Sequence, residues 1–146
     1  MYALLRHVRP LVLSSERVVA RQVKPLGWTV GMRAVAEVLD EIGPSTVPQV
    51  AARLDLPRQA VQRLVDDLGA LGHVATEPNP AHRRSVLVRL TADGQQAFGT
   101  LKQAELERLA RLVPDVSAAD LAVATRVLAA LDDDVRTLVQ EGTADG

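Results

Sequence analysis

Residues 73–94, HVATEPNPAHRRSVLVRLTADG, decide the architecture. Two short alternating stretches, near 73–77 and 86–90, flank a loop that carries prolines and arginines. In the second stretch Val86, Val88 and Leu90 fall on one face and Leu87 and Arg89 on the other, the period-two pattern of a half-buried strand. Pro78, Asn79 and Pro80 prevent ladder pairing and predict a loop tip. Thr91, with Gly94 three residues on, begins a helix. Directly upstream, residues 57–71 (PRQAVQRLVDDLGAL) spell an amphipathic helix. Val61, Leu64, Leu68 and Leu71 make its buried stripe, and Gly72 lets it stop. Helix, basic hairpin and helix, in that order, are the parts of a winged helix-turn-helix.

The flanking sequence completes a helical chain. Residues 4–22 place Leu4, Val8, Leu11, Ser15 and Val18 at a 4-3-4-3 helical spacing, with Pro10 either kinking the helix or marking where its regular part begins. Lys24-Pro25-Leu26-Gly27 ends it. Thr29 reads as the N-cap of a second helix through about Glu41, closed by Gly43-Pro44. Thr46 and Gln49 form a capping box for a short third helix to about Leu54, in which Pro48 is harmless because its missing N–H had no partner. Asp55-Leu56-Pro57 turns the chain into the helix already described. After the hairpin a long helix carries Phe98, Leu101, Leu106, Leu109 and Leu112 and stops near Pro114. Ser117 and Asp120 cap the last helix, where Leu121, Ala124, Leu128, Leu131, Val135 and Leu138 recur as a heptad seam. Such a seam predicts close packing against another long helix. Residues 142–146 read as a frayed tail.

Composition narrows the classes. A chain of 146 residues fits one domain, and its 47% hydrophobic but only 2% aromatic content predicts a core of Leu, Val and Ala in packed helices. Without cysteine there is no disulfide, thiol redox sensor or thiolate metal site. No apolar run approaches the roughly 20 residues of a spanning helix. The start, MYALLRHVRPLVL, is broken by Arg6, Arg9 and Pro10 and makes a poor signal peptide, so a cytoplasmic location is expected. The net charge of −1 hides an uneven distribution. Residues 1–33 carry six basic side chains against Glu16, and residues 53–89 carry six arginines against four acids. Residues 90–146 hold five basic and ten acidic side chains. Local clusters of positive charge, and not the global balance, bear on nucleic acid.

The clusters fall on the helix and the hairpin. With Val61 at the centre of the buried stripe, Gln59, Gln62, Arg63 and Asp66 lie on the opposite wall, and Arg58 projects from the first turn at its margin. Glutamine and arginine match adenine and guanine edges in the major groove, so Arg58, Gln59, Gln62 and Arg63 are the candidate base-reading residues. Asp66 would repel DNA as a bare carboxylate; its spacing suits holding Gln62 or Arg63 in place. Thr46 and Gln49, with the open N–H groups of the third helix, suit a phosphate. In the loop, Arg83 is a candidate backbone contact, while Arg84, with His82 beside it, is the candidate probe of the minor groove. The plain alternative for each is a solvated surface residue.

The span from about Leu26 to Gly94 closely resembles the MarR (multiple-antibiotic-resistance regulator) family of winged-helix transcription factors. The likeness lies in Leu90-Thr91-x-x-Gly94, in Arg83-Arg84, and in the segment LPRQAVQRLVDDLGALGHV. The heptad-bearing last helix and amphipathic first helix resemble that family's dimerisation region. The resemblance implies a homodimer on a pseudo-palindromic operator, usually a repressor. A small ligand, often phenolic or aromatic, typically relieves binding from a cleft between the dimer helices and the winged part. One position departs. Family wings commonly carry Asp two residues before the minor-groove Arg, and this chain has His82 there, so Arg84 is expected to be less pre-organised and wing readout weaker or pH-sensitive.

The expected fold is therefore mainly α with a small β-hairpin wing, a single MarR-like domain over 1–146. Its winged helix-turn-helix DNA-binding part spans 26–94, and 1–24 and 95–141 form a helical dimerisation part. Leu4, Val8, Leu11, Leu121, Leu128, Leu131, Val135 and Leu138 are the candidate dimer contacts. The expected function is a homodimeric, sequence-specific regulator of transcription on double-stranded DNA, relieved by a small aromatic or anionic effector. The alternative from another class is a winged-helix protein-interaction module. Trp28 is a candidate ligand contact or a core anchor. Arg17 and Arg21 could receive an anionic ligand or pair with the acidic last helix, and the second reading is favoured. His7, His73 and His82 are too scattered for a metal. No cofactor is implied, and no nucleophile–base set or phosphate loop points to an enzyme. Asp132, Asp133 and Asp134 point about 100° apart on a helix and cannot converge on one ion.

Overall fold

Four helices begin where a Thr or Ser hydroxyl takes a free backbone N–H, at Thr29, Thr46, Thr91 and Ser117. In a computed structural model, which describes residues 2–144, α1 spans Tyr2–Val23 and continues through Pro10. A 3-10 turn at Lys24–Leu26 closes it, with Gly27 in the left-handed region at φ 70°. In α2 (Val30–Ile42), Thr29 Oγ1 accepts the Met32 N–H at 3.2 Å. Thr46 and Gln49 cap α3 (Val47–Leu54) reciprocally, as their spacing predicts. The chain then forms α4 (Arg58–Ala70), β1 (Val74–Pro78), β2 (Val86–Leu90), α5 (Ala92–Leu109) and α6 (Ala118–Ala144).

The strands pair antiparallel with Val74 opposite Leu90 and Pro78 opposite Val86. Pro78 is thus the last rung of the ladder, where the sequence predicts loop. It is tolerated there because β1 is an edge strand whose end has no further N–H to give. Ser45, buried before α3, adds a single bridge: its N–H donates to Val88 O at 3.0 Å, and Val88 N–H donates to Ser45 O at 2.8 Å. That bridge ties the hairpin to the α2–α3 corner.

The chain divides into two compact units, and the boundary between Glu105 and Leu106 falls within α5. The first holds the core: Val35, Val38 and Leu39 of α2, Val50 of α3, Val61, Val65 and Leu68 of α4, Val88 and Leu90 of β2, and Phe98 of α5. Burying a side chain the size of Leu68 stabilises the fold by roughly 1.5–3 kcal/mol. The buried stripe of α4 differs from expectation. Val65 is buried, Leu64 is half-buried, and Leu71 is 44% exposed. Leu71 lies one residue past the end of the helix, so the 3.6-residue period no longer turns it inward.

α5 ends at Leu109, short of the expected Pro114, so Leu112 lies in the turns that follow. Ser117 and Asp120 cap α6 as their spacing predicts, with Ser117 N–H donating to Asp120 Oδ2 at 3.2 Å and Asp120 N–H donating to Ser117 Oγ at 3.1 Å. The hydrogen bonds from the Ser117 hydroxyl and backbone hold the Asp120 carboxyl below its ordinary pKa. α6 continues past Gly142, where the frayed tail is expected. Met1, Asp145 and Gly146 lie outside the described residues. No described residue from Leu106 onward is buried.

Within the first unit α5 is fixed to α2 and to the hairpin. Arg33 on α2 bonds Glu37 at 2.9 Å and also Glu105, while Lys102 bonds Asp40 at 2.9 Å. Burial opposes the Arg33 charge, but hydrogen bonding and attraction from the two carboxylates outweigh it and raise its pKa above the ordinary value. Its hydrogen bond to Asp40 does the same for Lys102. Both cations lie about the Phe98 ring, 6.0 and 5.8 Å from its centre. At the other end of the helix, Thr91 N–H donates to His73 O at 3.0 Å, and Thr91 Oγ1 donates to Gly72 O at 2.7 Å. Gly94 sits so close beneath that carbonyl that a Cβ there would lie 1.9 Å from His73 O. Gly94→Ala is therefore expected to destabilise the protein by about 3 kcal/mol or more, beyond an ordinary helical glycine, which alanine stabilises. Urea unfolding measures this, and an unchanged midpoint would show that the turn is not so tightly seated.

Candidate nucleic-acid interface

The turn that presents α4 is built by Asp55, which adopts the left-handed conformation at φ 53° and ψ 45°, tolerable for a short polar side chain. Leu56 N–H donates back to Ala51 O at 3.1 Å, and Pro57 then starts the helix with no side-chain cap. Ala60 N–H donates to Pro57 O at 2.9 Å, so of the first turn only the Arg58 and Gln59 N–H groups are left for solvent or an incoming acceptor. Arg58, Gln59, Gln62, Arg63 and Asp66 are all exposed, opposite the buried Val61, Val65 and Leu68. Gln62 Nε2 donates to Asp66 Oδ1 at 2.8 Å, so of the two partners open to Asp66 the structure selects Gln62.

Thr46 and Gln49 are brought together at the start of α3. Thr46 N–H donates to Gln49 Oε1 at 2.8 Å, the Thr46 hydroxyl donates to the same oxygen at 2.9 Å, and Gln49 N–H donates to Thr46 Oγ1 at 3.4 Å. The cap uses the oxygen of the Gln49 amide and leaves its two N–H donors outside that network.

His82, Arg83 and Arg84 are exposed at the hairpin tip. Their loop is ordered by Asn79, which the sequence places at the loop tip, and by Ser85, to which the sequence assigns no role. Asn79 is largely buried; its Oδ1 accepts Ala81 N–H at 3.0 Å and its Nδ2 donates to Ser85 Oγ at 2.8 Å. His82 contributes backbone, donating its N–H to Asn79 O at 3.2 Å and accepting Ser85 N–H at 2.9 Å. The Asn79–Ala81 contact is an Asx turn, a habit of Asn that the sequence does signal. The Asn79–Ser85 bond closes a longer loop, and no local period announces it. The α4 wall and the hairpin border one groove of about 370 Å³, lined among others by Gln62, Asp66, Thr76 and Val86.

Arginine pairing divides the region. Of the six arginines between residues 53 and 89, Arg53 bonds Glu41 at 2.7 Å and Arg89 bonds Glu77 at 3.0 Å. Among the described residues Arg58, Arg63, Arg83 and Arg84 make no ion pair.

Trp28 is 4% exposed, and its Nε1 donates to His73 Nδ1 at 2.9 Å, with the rings edge to face. It anchors the core beside the α5 junction. Arg17 and Arg21 are exposed on α1. A cavity of about 430 Å³ in the first unit is lined by Gln22, Leu26, Asp93, Gln96 and Thr100, among others, and by none of Trp28, Arg17 and Arg21. Among the described residues no acidic or histidine cluster is arranged to hold a metal, and no helix is long and apolar enough to cross a membrane.

A sequence profile of the MarR family matches residues 33–85, which cover α3, α4 and most of the hairpin. Uncharacterized proteins of Mycobacterium tuberculosis and Mycobacterium bovis are 39% identical over 76 residues, 52% of this chain and 53% of each relative. The chain spans about half the length of these curated relatives in the match. Among solved structures, a MarR family transcription regulator superposes with a TM-score of 0.85 at 29% identity, covering 96% of this chain and 93% of that one. A mutant MarR of E. coli complexed with operator DNA superposes at 0.75 with 23% identity, covering 88% and 93%, which shows a shared fold.

The Asx turn generates a test of the hairpin tip. Asn79→Ala removes two hydrogen bonds and is expected to cost about 1–2 kcal/mol. Amide hydrogen exchange at Ala81 should quicken in the variant; unchanged protection there would mean the tip is ordered by something else.

Proposed function

We propose that this chain is a MarR-family regulator that binds a pseudo-palindromic DNA operator as a homodimer and represses transcription until a small effector releases it. The observation that carries this reading is the division of the arginines. Arg53 and Arg89 are neutralised by carboxylates, whereas Arg58, Arg63, Arg83 and Arg84 keep their charge for a partner. These four lie on the outer wall of α4 and at the hairpin tip. A partner with phosphates at regular spacing and polar base edges between them suits that distribution.

In this reading α4 enters the major groove, with Gln59, Gln62, Arg63 and Arg58 reaching base edges. Thr46, Gln49 and Arg83 meet the backbone, and Arg84 with His82 approaches the minor groove. The homodimer places two such helices about 34 Å apart, in successive major grooves. Its support is the apolar surface the single chain leaves in water. Leu11 is 66% exposed and Leu138 65%, and Leu4, Leu121, Leu128 and Val135 are exposed with them, Val8 and Leu131 partly so. Apolar stripes of this extent mark an interface. An effector, aromatic or anionic, that favours a dimer with the wrong helix spacing would shift the population by about 1–3 kcal/mol of coupling.

Two outcomes test this. Arg63→Ala is expected to lose about 1–3 kcal/mol on a selected operator and much less on random duplex, read by fluorescence anisotropy. Equal losses on both duplexes would make Arg63 a phosphate contact only. Leu128→Glu puts a charge in the heptad seam and is expected to yield monomers in light scattering, while a dimeric variant would remove α6 from the interface.

A further inference from the structure

Gln62 differs from the other exposed side chains on the α4 wall in being held by a neighbour, and the chemistry of that neighbour restricts what it can present. A carboxylate only accepts hydrogen bonds, so the amide nitrogen, and not Oε1, must face Asp66. One Nε2 proton is thereby engaged. What remains for an incoming edge is one donor, the second Nε2 proton, beside one acceptor, Oε1.

We propose that Asp66 is a specificity-determining positioning residue that makes Gln62 a reader of adenine and a poor reader of guanine. The proposal rests on the DNA-recognition reading above. Adenine shows an acceptor, N7, beside a donor, the N6 amino group, which complements one donor beside one acceptor. Guanine shows two acceptors, N7 and O6. A freely rotating glutamine can serve both with its two Nε2 protons. With one of them held by Asp66, Oε1 is left against O6 and repels it.

Asp66 acts on affinity as well. Among the described residues it makes no ion pair, with Arg63 or any other cation, so its charge is not neutralised. It lines the groove between α4 and the hairpin alongside Gln62 and repels the phosphates of every duplex alike. The gain from an oriented Gln62 is confined to duplexes with adenine at the right position. Specificity is the difference between two affinities, so the repulsion common to every duplex cancels and the discrimination comes from the oriented Gln62 contact, while Asp66 lowers affinity overall. In water an exposed pair of this kind contributes too little to matter for folding. Its role lies in the groove, where a displaced partner would not be replaced by solvent.

The experiment uses the full chain and a pool of random double-stranded DNA, selected in parallel with the parent protein, Gln62→Ala and Asp66→Asn. The parent should enrich a twofold-symmetric site with one column in each half where adenine exceeds guanine about tenfold, the scale of a good bidentate contact. Gln62→Ala should erase that column and spare the others. Asn can face either end of the Gln62 amide, so Asp66→Asn should narrow the same preference to about threefold or less while tightening binding to random duplex. A merely structural Asp66 would instead weaken all sequences in proportion. The proposal is overturned if Asp66→Asn keeps the adenine preference of the parent, or if Gln62→Ala leaves every column intact. A parent protein that enriches no duplex at all overturns the DNA reading itself, and this proposal with it.

Discussion

The backbone carbonyl of His73 is the constraint on which the winged lobe depends. It stands where α4 has just ended and β1 is about to begin, and it accepts the Thr91 N–H that opens α5. The first turn of α5 comes close enough that only glycine fits at position 94. The His73 ring meanwhile accepts the indole N–H of Trp28, at the entry to α2. Three chain segments distant in sequence are thus registered on one residue. Interiors are packed without slack, so a shift of even half an ångström at such a point must be absorbed by all three segments together. The direction in which α4 presents its outer wall, and the start of the helix that leaves the lobe, are set by the same contact.

The two units differ in how their apolar residues are treated. In the lobe up to Glu105, the valines and leucines of α2, α3, α4 and β2 close into a core, and Phe98 of α5 packs there beneath two cations. From Leu106 onward the heptad leucines remain in contact with water. A helix of 27 residues that is apolar along one seam gains little from its own hydrogen bonds and relies on packing for its stability. In the proposed homodimer that packing comes from a second copy of the chain.

Much of the fold was legible because its signals are local. The caps at Thr29, Thr46 with Gln49, and Ser117 with Asp120 each link residues three apart, where the side chain's reach and the helix geometry agree. The wall of α4 was legible for the same reason, since period and polarity coincide along its 13 residues. The phase of its buried stripe was read one residue off at its end, because a helix that stops at Ala70 no longer governs Leu71. What stayed hidden joins residues far apart: the Trp28–His73 bond across 45 positions, the Ser45–Val88 bridge, and the glycine beneath the His73 carbonyl. Thr91 and Gly94 were read as a helix start, which they are, but the need for glycine lies in packing that a one-dimensional pattern does not carry. The departure at His82 leads to the expectation of an Arg84 side chain with no carboxylate to orient it. Asn79 and Ser85 order the loop backbone around it and leave the arginine side chains unpaired.

The candidate interface consequently combines two kinds of preparation. At the hairpin tip the backbone is held and the side chains of Arg83 and Arg84 are free, an arrangement suited to a target whose phosphates and groove width vary from step to step. On α4 the reverse holds at Gln62, where the side chain itself is oriented before any partner arrives. Fixing a side chain in advance lowers the entropy lost on binding, but only for the target that matches its fixed pattern. Unpaired arginines supply attraction that every duplex shares, and it weakens steeply with salt. An oriented amide beside an uncompensated carboxylate supplies little attraction and much selectivity. On the proposed function, a chain with a net charge of −1 addresses a polyanion because Arg58, Arg63, Arg83 and Arg84 are left unpaired on the proposed contact surface, while Arg53 and Arg89 are held by carboxylates.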